Sequence, residues 1–245
     1  MKIVALGDTH GRVQWKEIVE KEKDADKIVF IGDYFDTHHD GVSGNKQLVN
    51  FKEIVAFKRA NPDKVVLLFG NHDFHYIRGM AARGETYSGY QGGYAHDFAE
   101  AIHDAINDKS VQMCWMHDNF FFSHAGVTKT WRDRVFELND LMEEDLVTGI
   151  NDLFYHKPLS FCFAMGDNLS QSGNDKTQSP IWVRPQSLVP DMVEDIICVV
   201  GHTTVKELSI TEMYRIILID CLGTTGEYLI IEDGKPKSSK INLEF

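Results

Sequence analysis

Six short segments carry Asp, Asn, His or Arg at or near the ends of apolar runs. In chain order they are Gly7-Asp8-Thr9-His10-Gly11, Gly32-Asp33-Tyr34-Phe35-Asp36, Gly70-Asn71-His72-Asp73, Ser123-His124-Ala125-Gly126, Trp182-Val183-Arg184-Pro185 and Gly201-His202-Thr203-Thr204. Together they offer three imidazoles, two carboxylates and one amide able to ligate metal, plus a spare pair in His72 and Asp36. Every donor is nitrogen or oxygen. Such a set suits Mn, Fe, Zn or another borderline divalent ion and does not suit an iron–sulfur cluster or a Cys-rich structural zinc. Two divalent ions ~3.5–4 Å apart need a shared carboxylate, and a hydroxide held between them is a nucleophile near neutral pH. The inventory is that of a two-metal phosphoester-hydrolysing site. Asp-x-His alone arises often by chance, whereas six such segments in series do not.

The elements that position these residues are legible as short apolar runs closed by Gly, Asp or Asn. Ile3–Leu6, Ile28–Ile31, Val65–Phe69, Phe120–Phe122, Ile196–Val200, Ile216–Ile219 and Tyr228–Ile231 read as strands buried on both faces. Helical spacing marks Lys46–Arg59, which stops at Asn61-Pro62, and a helix around Phe98, Ile102, Ala105 and Ile106. It also predicts one long helix over Arg132–Ile150, with Thr130 and Asp133 as its cap. Strand–helix alternation in the first half predicts parallel βαβ units, and the strand–turn–strand stretch after Gly201 predicts a mixed sheet. In an open α/β sheet the strand C-termini converge on one edge, where ligands bind. Asp8, Asp33, Asn71 and His202 each sit just past a run and so are expected to meet there. Phe74–Tyr94, rich in Gly and Tyr, and the polar stretch Leu169–Ser179 read as loops near the site, the first a candidate substrate-facing loop.

The bulk properties narrow the function. A chain of 245 residues without repeats or linkers reads as a single domain spanning residues 1–245. A net charge of −12 repels phosphate backbones, which argues against generic nucleic-acid binding. No run reaches the ~18 apolar residues of a membrane span. Cys114, Cys162, Cys198 and Cys221 form no Cys-x-x-Cys pair, so free thiols and a reducing cytoplasm are expected.

In content and order the segments resemble the calcineurin-like metallophosphoesterase superfamily. The resemblance is closest to its phosphoprotein-phosphatase branch and the bacterial and phage relatives that include diadenosine-tetraphosphatase-like enzymes. It runs from Asp8 to His202 and implies an α/β fold, the αββα sandwich of two mixed β-sheets flanked by helices, with the site at the strand ends. It also implies two divalent metal ions, Mn first, with Fe, Zn, Ni and Mg as the other choices. By the same resemblance, Asp8 and His10 hold one ion, Asn71, His124 and His202 the other, and Asp33 bridges them. His72 protonates the leaving-group oxygen and Asp36 holds its ring. Branches with a further His two positions after His202 use it as a ligand. Thr204 stands there in this chain, which favours the phosphoprotein-phosphatase branch.

The second motif departs from the pattern. Relatives often read Gly-Asp-x-x-Asp-Arg-Gly, and that Arg grips phosphate, whereas this chain has Asp36-Thr37-His38. Arg184 resembles a phosphate-facing Arg of bacterial relatives, and Arg78 or His38 could compensate. The expected activity is hydrolysis of a phosphate monoester on a phosphoprotein or a small phosphorylated substrate. The alternatives are a dinucleoside polyphosphate or other nucleotide hydrolase, and a non-catalytic scaffold that keeps the fold.

Overall fold

Each predicted strand alternates two sets of apolar side chains, and the fold uses both. In the computed structural model, which describes residues 1–37, 42–142, 146–164, 172–211, 213 and 215–243, eleven strands form two mixed sheets. The first sheet runs β11 (Lys235–Lys240), β10 (Glu227–Glu232), β1 (Lys2–Leu6), β2 (Lys27–Phe30), β3 (Val65–Leu68) and β4 (Val111–Gln112). Strands β1 to β4 are parallel neighbours, joined through helices α1 (Trp15–Lys21), α2 (Gly44–Ala60) and α4 (Ala95–Asn107), while β10 and β11 add on antiparallel. The second sheet runs β5 (Cys114–His117), β6 (Phe120–Ser123), β7 (Ile197–Val200), β9 (Ile216–Leu218) and β8 (Ser209–Thr211), with β6, β7 and β9 parallel.

Period-two alternation assigns the faces. Ile3, Ala5, Val29, Ile31, Val66 and Leu68 pack against Phe120, Phe122, Val199, Ile217 and Ile219, forming the layer between the sheets. The intervening Val4, Leu6, Ile28, Phe30, Val65 and Leu67 pack with Ile18, Phe51, Ile54, Phe98 and Ile102 of the helices. Both faces of the central strands are thus dry, which is why they read as unbroken apolar runs. All seven predicted runs are strands. The ones not predicted, β4, β5, β8 and β11, are short or polar. The edge strand β11 reads Lys-Pro-Lys-Ser-Ser-Lys, a composition that discourages further strand pairing.

The predicted long helix over Arg132–Ile150 is two helices, α5 (Lys129–Leu138) and α6 (Leu146–His156). Asn139 closes α5 by donating its side-chain amide to the Val135 carbonyl at 2.7 Å, and Asp140 follows at φ 54°, a left-handed conformation that no helix continues through. Leu138 and Met142, which flank this break, are exposed. The cap is also two residues earlier than expected: Thr128, not Thr130, accepts from the Trp131 N–H. Two short helices, α3 (Asn71–Phe74) and α7 (Pro185–Leu188), start within the third and fifth motifs. Among the described residues no helix is long and apolar enough to cross a membrane, and all four cysteines are free.

Candidate metal centre

Six parallel strands end at this site. Asp8 follows β1, Asp33 follows β2, Asn71 follows β3, His124 follows β6 and His202 follows β7. The sixth residue, Asp220 after β9, was not picked out from the sequence, although the run Ile216–Ile219 ends directly on it. The turns are tight. His10, Asp33, Asp36 and His202 hold φ of 44°, 53°, 61° and 61°, a region that non-glycine residues rarely occupy and that concentrates at functional sites. At Gly70 and Gly201 a β-carbon would collide with Oδ1 of Asp33 and Oδ1 of Asp8, respectively. These two glycines exist so that the carboxylates can close on the neighbouring strand ends.

Backbone groups lock the loops together. The His10 N–H donates to the Asp33 carbonyl at 2.8 Å and the Gly201 N–H to the His124 carbonyl at 2.9 Å. The buried Asp73 carboxylate accepts from the N–H groups of Gly70, Asp33 and Tyr34 at 3.0, 2.9 and 2.8 Å, tying the second motif to the third. Asp73 is a residue that sequence reasoning missed. Its signal was the capping spacing Gly70-x-x-Asp73.

The three imidazoles share one design. His10 Nδ1 lies 2.6 Å from the Phe35 carbonyl, His124 Nδ1 3.0 Å from the Ile31 carbonyl, and His202 Nε2 3.1 Å from the Trp182 carbonyl. A carbonyl only accepts, so each of those nitrogens carries the hydrogen, and in the neutral, ligating form of the ring the opposite nitrogen is bare. The bare nitrogens point at oxygen acceptors. His124 Nε2 is 2.9 Å from Asn71 Oδ1 and 3.3 Å from Asp33 Oδ2, His202 Nδ1 is 2.8 Å from Asn71 Oδ1, and His10 Nε2 is 3.9 Å from Asp33 Oδ2. Lone pairs facing lone pairs in a buried site call for cations, and a second ring nitrogen bonded to a carbonyl is the usual arrangement of a metal-ligating His.

The electrostatics agree. Burial drives the His10 imidazole down to about 4, helped by the charge of His72, and burial with His124 and Arg184 holds His202 well below the usual range. Both rings are therefore neutral, the form that ligates metal. Burial beside Asp220 and Asp33 pushes the Asp8 carboxyl well up, and burial also raises Asp220, which accepts from Thr204 Oγ1 at 2.7 Å. Burial alone would raise Asp33 too, but His124 and His72 outweigh it and hold that carboxyl well below its usual value. Three buried carboxylates in one pocket are costly without a compensating cation. The donor set thus fits divalent ions.

His72 and Asp36 stand beside this cluster. The His72 N–H donates to Asp33 Oδ1 at 2.9 Å, and His72 Nδ1 is 3.2 Å from Asp36 Oδ2. Burial lowers the His72 imidazole, but Asp33, Asp36 and Asp73 overcome it and raise it to about 9.

Two predicted phosphate contacts fare differently. Arg184 lies at the cluster: its Nη1 donates to the His202 carbonyl at 2.9 Å and to Thr203 Oγ1 at 3.1 Å, and its Nε donates to the Ser172 carbonyl at 2.9 Å. Arg78 does not reach the cluster. Its guanidinium pairs with Glu100 of α4, and its backbone N–H donates to His103, because the chain after α3 turns outward before Arg78. His38 lies outside the described residues, as does part of the Leu169–Ser179 loop. The described end of that loop frames Arg184 through Ser172 and Gly173. In the Gly/Tyr-rich segment, Tyr76, Tyr87 and Tyr90 pack on His75 rather than standing free as a substrate-facing surface. Arg12, not anticipated, donates to the carbonyls of Asp8 and Thr9 and lines a cleft of about 560 Å³ with Gly11, Val42, Lys46 and Val49.

The fold and the chain have recognisable relatives. No curated protein matches the chain. Among solved structures, the cold-active protein-tyrosine phosphatase of a psychrophilic Shewanella species superposes with a TM-score of 0.59 at 20% identity, over 98% of this chain and 77% of that one. A protein serine/threonine phosphatase from Saccharomyces cerevisiae with similarity to human phosphatase PP5 gives 0.52 at 12% identity, over 100% and 81%. A metallophosphoesterase from Sphaerobacter thermophilus gives 0.51 at 15% identity, over 100% and 89%. At these identities the likeness is one of fold. The model of the calcineurin-like phosphoesterase family matches residues 1–206 directly. That span takes in the donors from Asp8 to His202 and the His72–Asp36 pair, while Asp220 lies beyond it. The chain therefore belongs to the calcineurin-like phosphoesterase family, metal-dependent hydrolases of phosphate esters.

Proposed function

We propose that this protein is a phosphate monoesterase acting on a phosphoprotein or a small phosphorylated substrate. The observation that carries the reading is the His72–Asp36 pair set beside a buried N/O donor cluster, since a proton donor with its own orienter serves a leaving group. Asp8 and His10 would hold one divalent ion, Asn71, His124 and His202 the other, and Asp33 would serve both, its Oδ2 being within reach of both His10 and His124. Mn is the preferred metal. Bound there, the ions supply Lewis-acid polarisation of the phosphoryl oxygens and acidify a water for attack. Asp36 accepts from His72 Nδ1, which leaves Nε2 to carry the proton given to the departing oxygen. Residues 1–245 act as one domain, because both sheets contribute to the site. The free thiols support a cytoplasmic location.

A second reading, a dinucleoside polyphosphate hydrolase, is favoured by one feature. The cleft of about 560 Å³ beside the His10 loop carries Arg12, Lys46 and Glu53 on its wall, with room for a nucleotide moiety. A panel of a phosphopeptide, a dinucleoside polyphosphate, a nucleoside monophosphate and an aryl diester, with Mn and again after EDTA, separates the readings. The phosphomonoesters are expected to turn over fastest, with EDTA abolishing the rate. Preference for the dinucleoside polyphosphate supports the second reading, and preference for the diester overturns both.

Arg184 takes the phosphate grip missing from the second motif. Its Nε and Nη1 are spent on Ser172, His202 and Thr203, leaving Nη2 without a partner among the described residues. Lys cannot hold three such anchors and still present a donor. A hydrogen bond to a charged group is worth roughly 1.5–3 kcal/mol, so Arg184→Ala is expected to lower kcat/KM about 10- to 100-fold. Lys should recover only part of this loss, and inorganic phosphate should inhibit the Ala variant more weakly. Unchanged kcat/KM and phosphate inhibition would make Arg184 a packing residue.

A further inference from the structure

Asp36 receives more hydrogen bonds than orienting one imidazole requires. Its Oδ2 is 3.2 Å from His72 Nδ1 and 2.5 Å from His75 Nε2. Its Oδ1 accepts from the Tyr76 hydroxyl at 2.5 Å and from Gln91 Nε2 at 3.1 Å. Asp36 and His75 are both buried, and Asp36 holds φ of 61°. A further bond fixes its backbone: the Asp36 N–H donates to Gln47 Oε1 at 2.8 Å, and Gln91 Nε2 reaches that same oxygen at 3.0 Å.

The tautomer of His75 follows from its other nitrogen. Nδ1 accepts the Tyr87 N–H at 3.4 Å, which places the ring hydrogen on Nε2, the nitrogen that lies 2.5 Å from Asp36 Oδ2. Asp36, His72 and His75 are close enough to clamp a metal ion. However, a metal on Nε2 would place the hydrogen on Nδ1, against the Tyr87 N–H, so the geometry favours His75 as a close partner of Asp36 and not as a metal ligand. The His75 ring is enclosed by Tyr76, Tyr87 and Tyr90, with centroids at 4.4, 6.3 and 5.1 Å.

We propose that His75, together with Tyr76 and Gln91, is a positioning group for the general acid, holding the Asp36 carboxylate in one rotation opposite His72. The proposal rests on the reading of His72 as the acid. With both carboxylate oxygens engaged, Asp36 cannot turn away from Nδ1. His72 enters the step as an imidazolium, passes the Nε2 proton to the leaving oxygen as the P–O bond breaks, and ends neutral with Nδ1–H still donated to Asp36. The Gly/Tyr-rich segment thereby serves the proton donor from behind.

The test uses the full chain loaded with Mn and compares an alkyl with an aryl phosphate. His75→Asn and Tyr76→Phe are each expected to lower the alkyl-to-aryl ratio of kcat by about 10-fold, the lower end for partners that orient a site residue, with KM and metal content unchanged. His75→Gln should recover most of that loss, because its amide nitrogen extends to the place of Nε2, whereas the Asn amide reaches only that of Nδ1. Gln91→Ala, at a partly exposed position, should lower the same ratio and covers the case in which the buried variants fail to fold. Equal losses on both esters, an unchanged ratio in the variants that fold, or Gln no better than Asn at position 75 would overturn the proposal. If His72→Asn itself leaves the ratio unchanged, the general-acid reading fails instead, and the two failures are distinguishable.

Discussion

Asp33→Asn is expected to lose metal and hydrolysis together. Both oxygens of the carboxylate are engaged: Oδ1 accepts the His72 N–H at 2.9 Å, and Oδ2 faces His124 and His10 at 3.3 and 3.9 Å. The amide removes one negative charge from a group within reach of both halves of the donor set and turns an N–H₂ toward imidazole nitrogens. Elemental analysis after dialysis against Mn should show reduced occupancy, and activity should fall to background. A ligand that binds only the folded state raises Tm, so the Mn-dependent rise in Tm seen for the wild type should shrink or vanish in the variant. The chelated variant should melt no lower than the chelated wild type, because removing one of several buried carboxylates relieves repulsion with Asp8 and Asp220. Two ions still bound with full activity would remove Asp33 from the centre.

His72→Asn should behave in the opposite way toward metal. The backbone N–H to Asp33 survives the substitution, and the side chain holds none of the bare nitrogens that face Asn71 and Asp33, so metal content should stay near normal. What disappears is the proton source. General acid catalysis contributes ~10²–10⁴-fold, and kcat for esters with poor leaving groups should fall by that order. Aryl esters leave without full protonation and should lose far less. Asp36→Asn should reproduce the pattern more mildly. Equal loss on alkyl and aryl esters would make His72 structural, and loss of metal would make it a ligand.

What was legible in the chain, and what was not, follows from how local each signal is. Asp8, His10, Asp33, Asn71, His124 and His202 could be found because a buried parallel strand is a short apolar run, and a residue just past it falls on one edge of the sheet whatever the rest of the fold does. By the same logic Asp220 was available and was passed over. The break between α5 and α6 was not legible, because apolar spacing continues through Asn139-Asp140, and only the left-handed turn at Asp140 shows that the helix stops. The polar edge strand β11 carries no apolar signal, since its place comes from pairing with β10 through the Asp233-Gly234 turn.

By itself the sequence determined the donor inventory, the order of the motifs, the strands that carry them and the class of chemistry, since these depend on residue type and on spacing along the chain. Only the tertiary structure decided which cation stands at the site, Arg184 and not Arg78, because a guanidinium goes where its nearest acceptors are, and for Arg78 that acceptor is Glu100 of α4. The tertiary structure likewise decided which nitrogen of each imidazole is bare, because the carbonyls of Ile31, Phe35 and Trp182 that claim the others come from distant segments. It also decided that His75, Tyr76 and Gln91 share one carboxylate with His72, since hydrogen bonds between positions 36 and 91 leave no trace in local sequence pattern.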